Sequence, residues 1–494
     1  MKLRLFAAAA ALAMASRGIG APVLAPPPTE FGPDVQPFVH LPAGQTAITH
    51  LRIIDGTGAA PMEDATLLLD GPKIAGVQPA NAQVPAGYRV IDGTDETAMP
   101  GLVGMHDHLY YLQRPNLDAA GHFEQPIIIP QMTFSAPRLY LANGVTTMRT
   151  TGSVEPYTDL SLKREIDAGH LVGPHLDVTS PYLEGPGAFF IQNHQITSPD
   201  DARKEVAFWA DMGVNSFKAY MHLTRAELGA AIQEAHRHGL KLTGHLCSVT
   251  YPEAVALGID NLEHGFFVNT QLDPGKKPDE CSDGAGTPTL LKMTPGSPEA
   301  NALIKLLVDH HVAVTSTLPV FAQSVPLHEP LQARQMDVLS SEAKEAYLFS
   351  RNLVASRAGT QRGNEFAQAY KNDLGLERQF VAAGGLLMAG PDPTGNGGVI
   401  PGFGDQREIE LLVEAGFSPV EAIRIATLNG ATYLGLADRI GTIAPGKNAD
   451  LFIVKGNPAA NISDIENVIL VFKDGAAYDS AKLIRSVRGR FGEY

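Results

Sequence analysis

Six residues in this chain have the types and spacing needed to hold a metal. They are His106 and His108 in GLVGMHDH, Lys218 in SFKAY, His245 in LKLTGH, His264 in NLEHG and Asp392 in LLMAGPD. Each stands in or just after a short apolar run of strand character. Side chains alternate along a strand, so His106 and His108 share a face while Asp107 takes the other. A single histidine at a strand end reads as a satisfied polar or core residue. Four histidines and an aspartate at five strand ends read as a site for zinc or a neighbouring divalent ion. Lys218 is the informative member. An ammonium repels a cation, so a lysine belongs in this ring only if its charge is inverted; otherwise it is a surface or ion-pairing lysine that precedes Tyr220.

The elements that must position these residues follow from the pattern around them. Eight strands are expected, at 101–108, 146–152, 175–181, 216–220, 240–245, 261–265, 313–318 and 386–392. Helical stretches such as DARKEVAFWADMG and RAELGAAIQEAHRHG lie between them. Alternation of this kind gives a parallel sheet and an α/β class. Eight βα units predict a (β/α)8 TIM barrel over residues 100–436, with its site at the C-terminal ends of the strands. Turn-punctuated β patterns at 46–99 and 437–494 predict a small β-sandwich domain built from both ends of the chain. Two long insertions, about 266–300 and a mostly helical one at Val325–Gly375, lie on the side that shapes a pocket.

As a set, these motifs resemble the amidohydrolase superfamily, and within it the imidazolonepropionase-like and prolidase-like branch that includes ochratoxinase-type amidases. PGLVGMHDHL looks like the first-strand motif, SFKAY, LTGHL, LEHG and AGPD follow in the family's order, and GTIAPGKNADLFIV resembles its C-terminal return strand. The resemblance spans roughly residues 46 to 480. It implies two divalent metal ions, zinc favoured, with Lys218 carboxylated by carbon dioxide to a bridging carbamate. His106, His108 and Asp392 would then hold one ion, and His245 and His264 the other. Single-metal deaminases of the superfamily lack such a lysine. The prolidase-like pattern often has a Gly-Gly turn after the lysine strand, whereas here the strand runs into MHLTRAEL, which opens a helix.

The implied activity is hydrolysis of a C–N amide bond in dipeptides or N-acyl amino acids, with ochratoxin-like amides a special case. Lactones, esters and carbamates are the alternative, because the same activated water attacks any polarised carbonyl. A non-catalytic binding protein should lack ligands, and all six are present. Asp392 would move the proton from water to the leaving amine. Tyr220, two residues past Lys218, would donate to the developing oxyanion or pack the barrel wall. Substrate contacts are also expected from His222, or else a surface role, and from Arg149, on a substrate carboxylate or in an internal ion pair. The run Gly187-Ala188-Phe189-Phe190 could line a pocket. Lys276 and Lys277 read as a solvated loop pair.

Composition narrows the partners. The 494 residues include 38 Lys+Arg and 53 Asp+Glu, for a formal charge of −15, which argues against a nucleic-acid binder. Residues 1–21 have the order of a bacterial secretory signal peptide, with Lys2 and Arg4 before the apolar run Leu5–Ala15. Periplasmic or secreted localisation follows, with a proline-rich extended arm at 22–45 and no membrane span in the mature chain. Only two cysteines exist, Cys247 and Cys281, either bridged across the loop PGKKPDECSDGAG or two separate thiols. Self-association into a homo-oligomer is open.

Overall fold

The structure is a computed structural model that describes residues 23–111, 129–187, 191–393 and 398–493. The expected leader and Ala188–Phe190 lie outside the described residues.

All eight expected strands form. The first three are Leu102–Gly104, Val145–Arg149, and a third in two segments, His175–Asp177 and Thr179–Leu183. The remaining five are Ser216–Ala219, Lys241–Gly244, Asn261–Glu263, Ala313–Ser316 and Leu387–Ala389. The first three pair in one parallel sheet, and the second segment of the third pairs onward through the eighth in another. The register sets Lys218 beside Thr243, Glu263 beside Thr315, and Ser316 beside Ala389. Backbone bonds also join the eighth strand to the first: Met105 N donates to Ala389 O at 2.9 Å and Asp392 N to His106 O at 3.0 Å. That approach needs glycine at position 390, where a Cβ would collide with the backbone of His106.

Helices pack between and around the strands as the sequence pattern requires. Arg225–Arg237 starts at a capping box, with the Thr224 hydroxyl and Glu227 carboxylate each satisfying backbone N–H groups of the other end. Its last turn carries His236 and Arg237, where positive charge complements the helix dipole. Pro199–Met212 is capped by Ser198 and stopped by Gly213 at φ 95°. The second insertion is indeed helical, with helices at Ala333–Val338, Ser341–Ala355 and Gln361–Ala382.

Strands from both ends of the chain share a single nine-stranded sheet, in which Leu451–Lys455 lies antiparallel to Glu96–Pro100. The expected N-terminal arm is more ordered than its prolines suggest. Val39–Leu41 pairs with Ala476–Asp479 and forms the edge of that sheet. Ile48, Leu51, Leu67, Ala98, Leu451, Ile453 and Phe472 build a core of its own beneath it.

Candidate active site

Three of the six singled-out residues stand closest. The ligating atoms of His106, His108 and Asp392 lie within 4.8 Å of one another and all three residues are buried. Asp392 Oδ1 is 3.2 Å from His108 Nε2 and 3.8 Å from His106 Nε2, and its Oδ2 is 3.9 Å from His264 Nδ1. The imidazole of His264 lies 4.5 Å from that of His106 and 4.4 Å from that of His245, centre to centre. Lys218 is buried in the same group, its ammonium 5.9 Å from the centre of the Tyr182 ring. All six residues therefore converge at the C-terminal ends of their strands.

Backbone conformation contributes to this convergence. His264 at φ 69° and Asp392 at φ 53° adopt left-handed conformations just past their strands. Such conformations cost about 1–3 kcal/mol each and persist only where the surroundings enforce them. Here they turn two side chains toward a common centre.

The outer nitrogens of three imidazoles are already engaged. His106 Nδ1 is 2.7 Å from Glu263 Oε2, His108 Nδ1 is 2.9 Å from the carbonyl of Thr150, and His264 Nδ1 is 2.9 Å from Thr317 Oγ1. The Glu263 carboxylate and the Thr150 carbonyl can only accept, so His106 and His108 carry N–H at Nδ1 and turn Nε2 toward Asp392, while the Thr317 hydroxyl holds the ring of His264 in place. Burial, reinforced by the Lys218 charge, pushes the His106 imidazole well below its ordinary range. Burial, then His245 and His106, do the same for His264. Burial and Lys218 drive His245 down to about 3. These are neutral rings, the form that binds metal. Asp392 Oδ1 is buried with no hydrogen-bond partner. An orphaned carboxylate oxygen among neutral imidazole lone pairs is a donor set that fits a divalent cation.

Burial lowers Lys218 to about 8, against the opposing pull of Glu263 and Asp392. The shift enlarges the unprotonated fraction of this amine relative to an exposed lysine. Tyr220 lies beside the group, its ring 4.9 Å from His245 and 4.7 Å from Tyr182. Burial raises its phenol well above the ordinary range, so it is a hydrogen-bond donor.

Two expectations for substrate contacts fare differently. Arg149 does not reach the mouth: it is buried, and its Nη2 donates to Glu263 at 2.8 Å, Asn261 at 2.9 Å and the Met105 carbonyl at 2.6 Å. It is the internal ion pair, and a substrate carboxylate has no access to it. His222 is half-buried at the edge, its Nδ1 3.3 Å from the buried Glu184, which raises its pKa. Asp107 points away from the histidines, as strand alternation required. It lies near Asp405, and burial and that neighbour keep its carboxyl protonated well above the usual range.

Three contributors were not anticipated. Glu263 orients His106 and neutralises Arg149; a charged residue inside an apolar strand was its signal in the sequence. Tyr110 and Tyr182 share a 2.6 Å hydroxyl contact, and the Tyr182 hydroxyl lies 3.5 Å from His108 Nε2. Nothing in their spacing marked them.

Cys247 and Cys281 form a disulfide, with Cα atoms 4.8 Å apart. It pins the loop after the sixth strand beside His245. Lys276 is part of that attachment rather than solvated: its ammonium donates to the carbonyls of Ser248, Lys277 and Glu280 at 2.6, 2.7 and 2.8 Å.

The profile of the Amidohydrolase family matches residues 378–477. Among solved structures, the fold is similar to A. niger ochratoxinase, at 18% identity and TM-score 0.62, covering 91% of this chain and 100% of that one. It is similar also to a Xaa-Pro dipeptidase with bound methionine in the active site, at 21% identity and TM-score 0.61, covering 88% and 100%. Curated relatives match over shorter pieces. The adenine deaminase of Ligilactobacillus salivarius (strain UCC118) is 40% identical over 67 residues, 14% of this chain and 11% of that protein. The chain thus spans only about a tenth of the length of that relative. The family profile thus matches about a fifth of the chain, at its C-terminal end, and the fold is shared with these structures over about nine-tenths of its length.

Proposed function

We propose that this protein is a metal-dependent hydrolase that cleaves a C–N amide bond in dipeptides or N-acyl amino acids, with ochratoxin-like amides within reach. The eight strands would form one closed (β/α)8 barrel over residues 100–436, with the small β domain drawn from 46–99 and 437–494. The observation that carries the reading is the convergence of four imidazoles, a buried lysine and an unpartnered aspartate oxygen. His106, His108 and Asp392 would hold one divalent ion and His245 and His264 a second, with zinc favoured by the donor set. Lys218 would bridge them as a carbamate, and its lowered pKa supplies the free amine that carbon dioxide requires. The Xaa-Pro dipeptidase and ochratoxinase likeness supports the amide class.

When bound, the ions would lower the pKa of water and polarise the scissile carbonyl. The protein's own residues do the rest. Asp392 accepts the proton of the attacking water at its carboxylate and delivers it to the nitrogen of the leaving amine. Tyr220 donates its phenolic hydrogen to the carbonyl oxygen as negative charge develops there. Glu263, Thr150 and Thr317 keep the three imidazoles from rotating, so the site is organised before substrate arrives. The disulfide supports export, because such bonds persist in oxidising compartments.

A panel of N-acyl amino acids and dipeptides, run beside lactones, esters and carbamates, tests the reading. Turnover of amides that is lost in Asp392→Asn supports it. Turnover confined to esters or lactones moves the enzyme to the alternative class.

A further inference from the structure

A second set of metal-type donors converges at the opposite end of the strands. His175 opens the third strand, Asp450 immediately precedes Leu451–Lys455, and Asp474 lies in the turn between Val468–Lys473 and Ala476–Asp479. Their donor atoms lie within 4.8 Å of one another, and all three residues are buried. His175 is 1% exposed, and neither ring nitrogen has a hydrogen-bond partner. Two carboxylates nevertheless face one of these nitrogens. Nε2 is 3.4 Å from Asp474 Oδ1 and 3.7 Å from Asp450 Oδ2.

These lengths are too long for good N–H···O bonds, which run at about 2.7–3.2 Å. They match the edges of a coordination polyhedron: around a tetrahedral ion with bonds of about 2.0–2.2 Å, neighbouring donors stand about 3.3–3.6 Å apart. The same pattern occurs at the active site, where Asp392 Oδ1 stands 3.2 and 3.8 Å from two imidazole nitrogens. The carboxylates are also held in place. Asp450 Oδ1 accepts from the Asp474 backbone N–H at 2.7 Å, and its Oδ2, which accepts from Asn448 Nδ2 at 3.5 Å, is the oxygen that faces His175. Lys473 engages the other oxygen of Asp474, at 3.9 Å.

We propose that His175, Asp450 and Asp474 bind a structural divalent cation of the zinc class. The ion would staple the third strand to the sheet formed by the two ends of the chain. His175 is 275 or more residues from either aspartate, so the ion would cross-link elements that meet only on folding. The site lies away from the catalytic residues, and the proposal does not depend on which bond the enzyme cuts.

Metal content of the full chain, purified without chelator, supplied with zinc and desalted, tests this. His175→Gln should carry one ion fewer per chain than the wild type and lose the zinc-dependent part of its resistance to urea. A variant combining His106→Ala, His108→Ala and His264→Ala should keep one ion, and adding His175→Gln to it should remove that ion. Equal metal content in wild type and His175→Gln would overturn the proposal. Should that variant fail to fold, anomalous diffraction at the zinc edge from wild-type crystals decides. A peak among the three side chains supports the site, and none there refutes it.

Discussion

Glu263→Gln should damage the protein in two separable ways. The carboxylate is fully buried, with Oε2 2.7 Å from His106 Nδ1 and Oε1 2.8 Å from Arg149 Nη2, and Thr243 also donates to it. Burial alone would raise its pKa, but Arg149 and then Lys218 outweigh burial and hold the carboxyl below its ordinary range. Replacing it with an amide strands the Arg149 guanidinium as an unpaired buried charge, which costs about 3–5 kcal/mol. Arg149→Met should cost a similar amount by stranding the carboxylate. The double variant removes both charges, so its loss should fall short of the sum by about 2 kcal/mol or more. Urea unfolding of the chelator-treated protein measures all three. Independently, His106 loses its charged acceptor, which should weaken metal binding about 10- to 100-fold in a competition titration. Additive stability losses within about 0.5 kcal/mol, together with unchanged metal affinity, would refute the coupling.

Other outcomes follow from the same geometry. Asp392→Asn should lower kcat by about 100-fold or more while leaving the urea midpoint nearly unchanged, since its Oδ1 has no hydrogen-bond partner to lose. Lys218→Ala should lose metal, and added short carboxylic acids should restore part of both metal content and rate; full metal and rate without them would remove the carbamate. Cys247→Ser opens a loop with a sequence separation of 34, which should cost about 3–4 kcal/mol in urea unfolding. Glu408 is pushed up to about 8 by burial, despite bonds from Ser316 and the Leu318 N–H. Its folded pKa is raised, so the folded state binds more protons than the unfolded chain between about pH 4.5 and 8, and stability is lost as pH rises through that window. Glu408→Gln cannot titrate and should gain stability relative to wild type between pH 5 and 8; a flat difference would show that Glu408 ionises normally.

The candidate site residues were legible because metal chemistry restricts residue type severely. His106, His108, Lys218, His245, His264 and Asp392 each follow a short apolar run, and strand alternation with parallel order was enough to bring them together. The strands were readable from their short apolar runs, although the third, expected as one strand at 175–181, forms as two segments, His175–Asp177 and Thr179–Leu183. Arg149 was ambiguous because sequence places a side chain at a strand end but does not show its depth; one turn of the pleat separates the mouth from the interior. Tyr110 and Tyr182 were hidden because their contact spans 72 residues of sequence, which no local pattern encodes, and Glu263 showed only as a charge inside an apolar strand, its partner His106 lying 157 residues away. The edge strand Val39–Leu41 was missed because it pairs with residues at the other end of the chain. Asp450 and Asp474 sit within segments that read as ordinary strand and turn, and only the fold carries them to His175.

The most direct test of the account is a metal titration of activity in the His175→Gln variant, which leaves the catalytic residues in place. Stripped with chelator, it should be inactive on N-acyl amino acids, and in the presence of bicarbonate its amidase activity should rise with added zinc and reach a plateau at about two ions per chain. Activity that survives stripping, or that saturates at one ion, would contradict a lysine-bridged two-metal site.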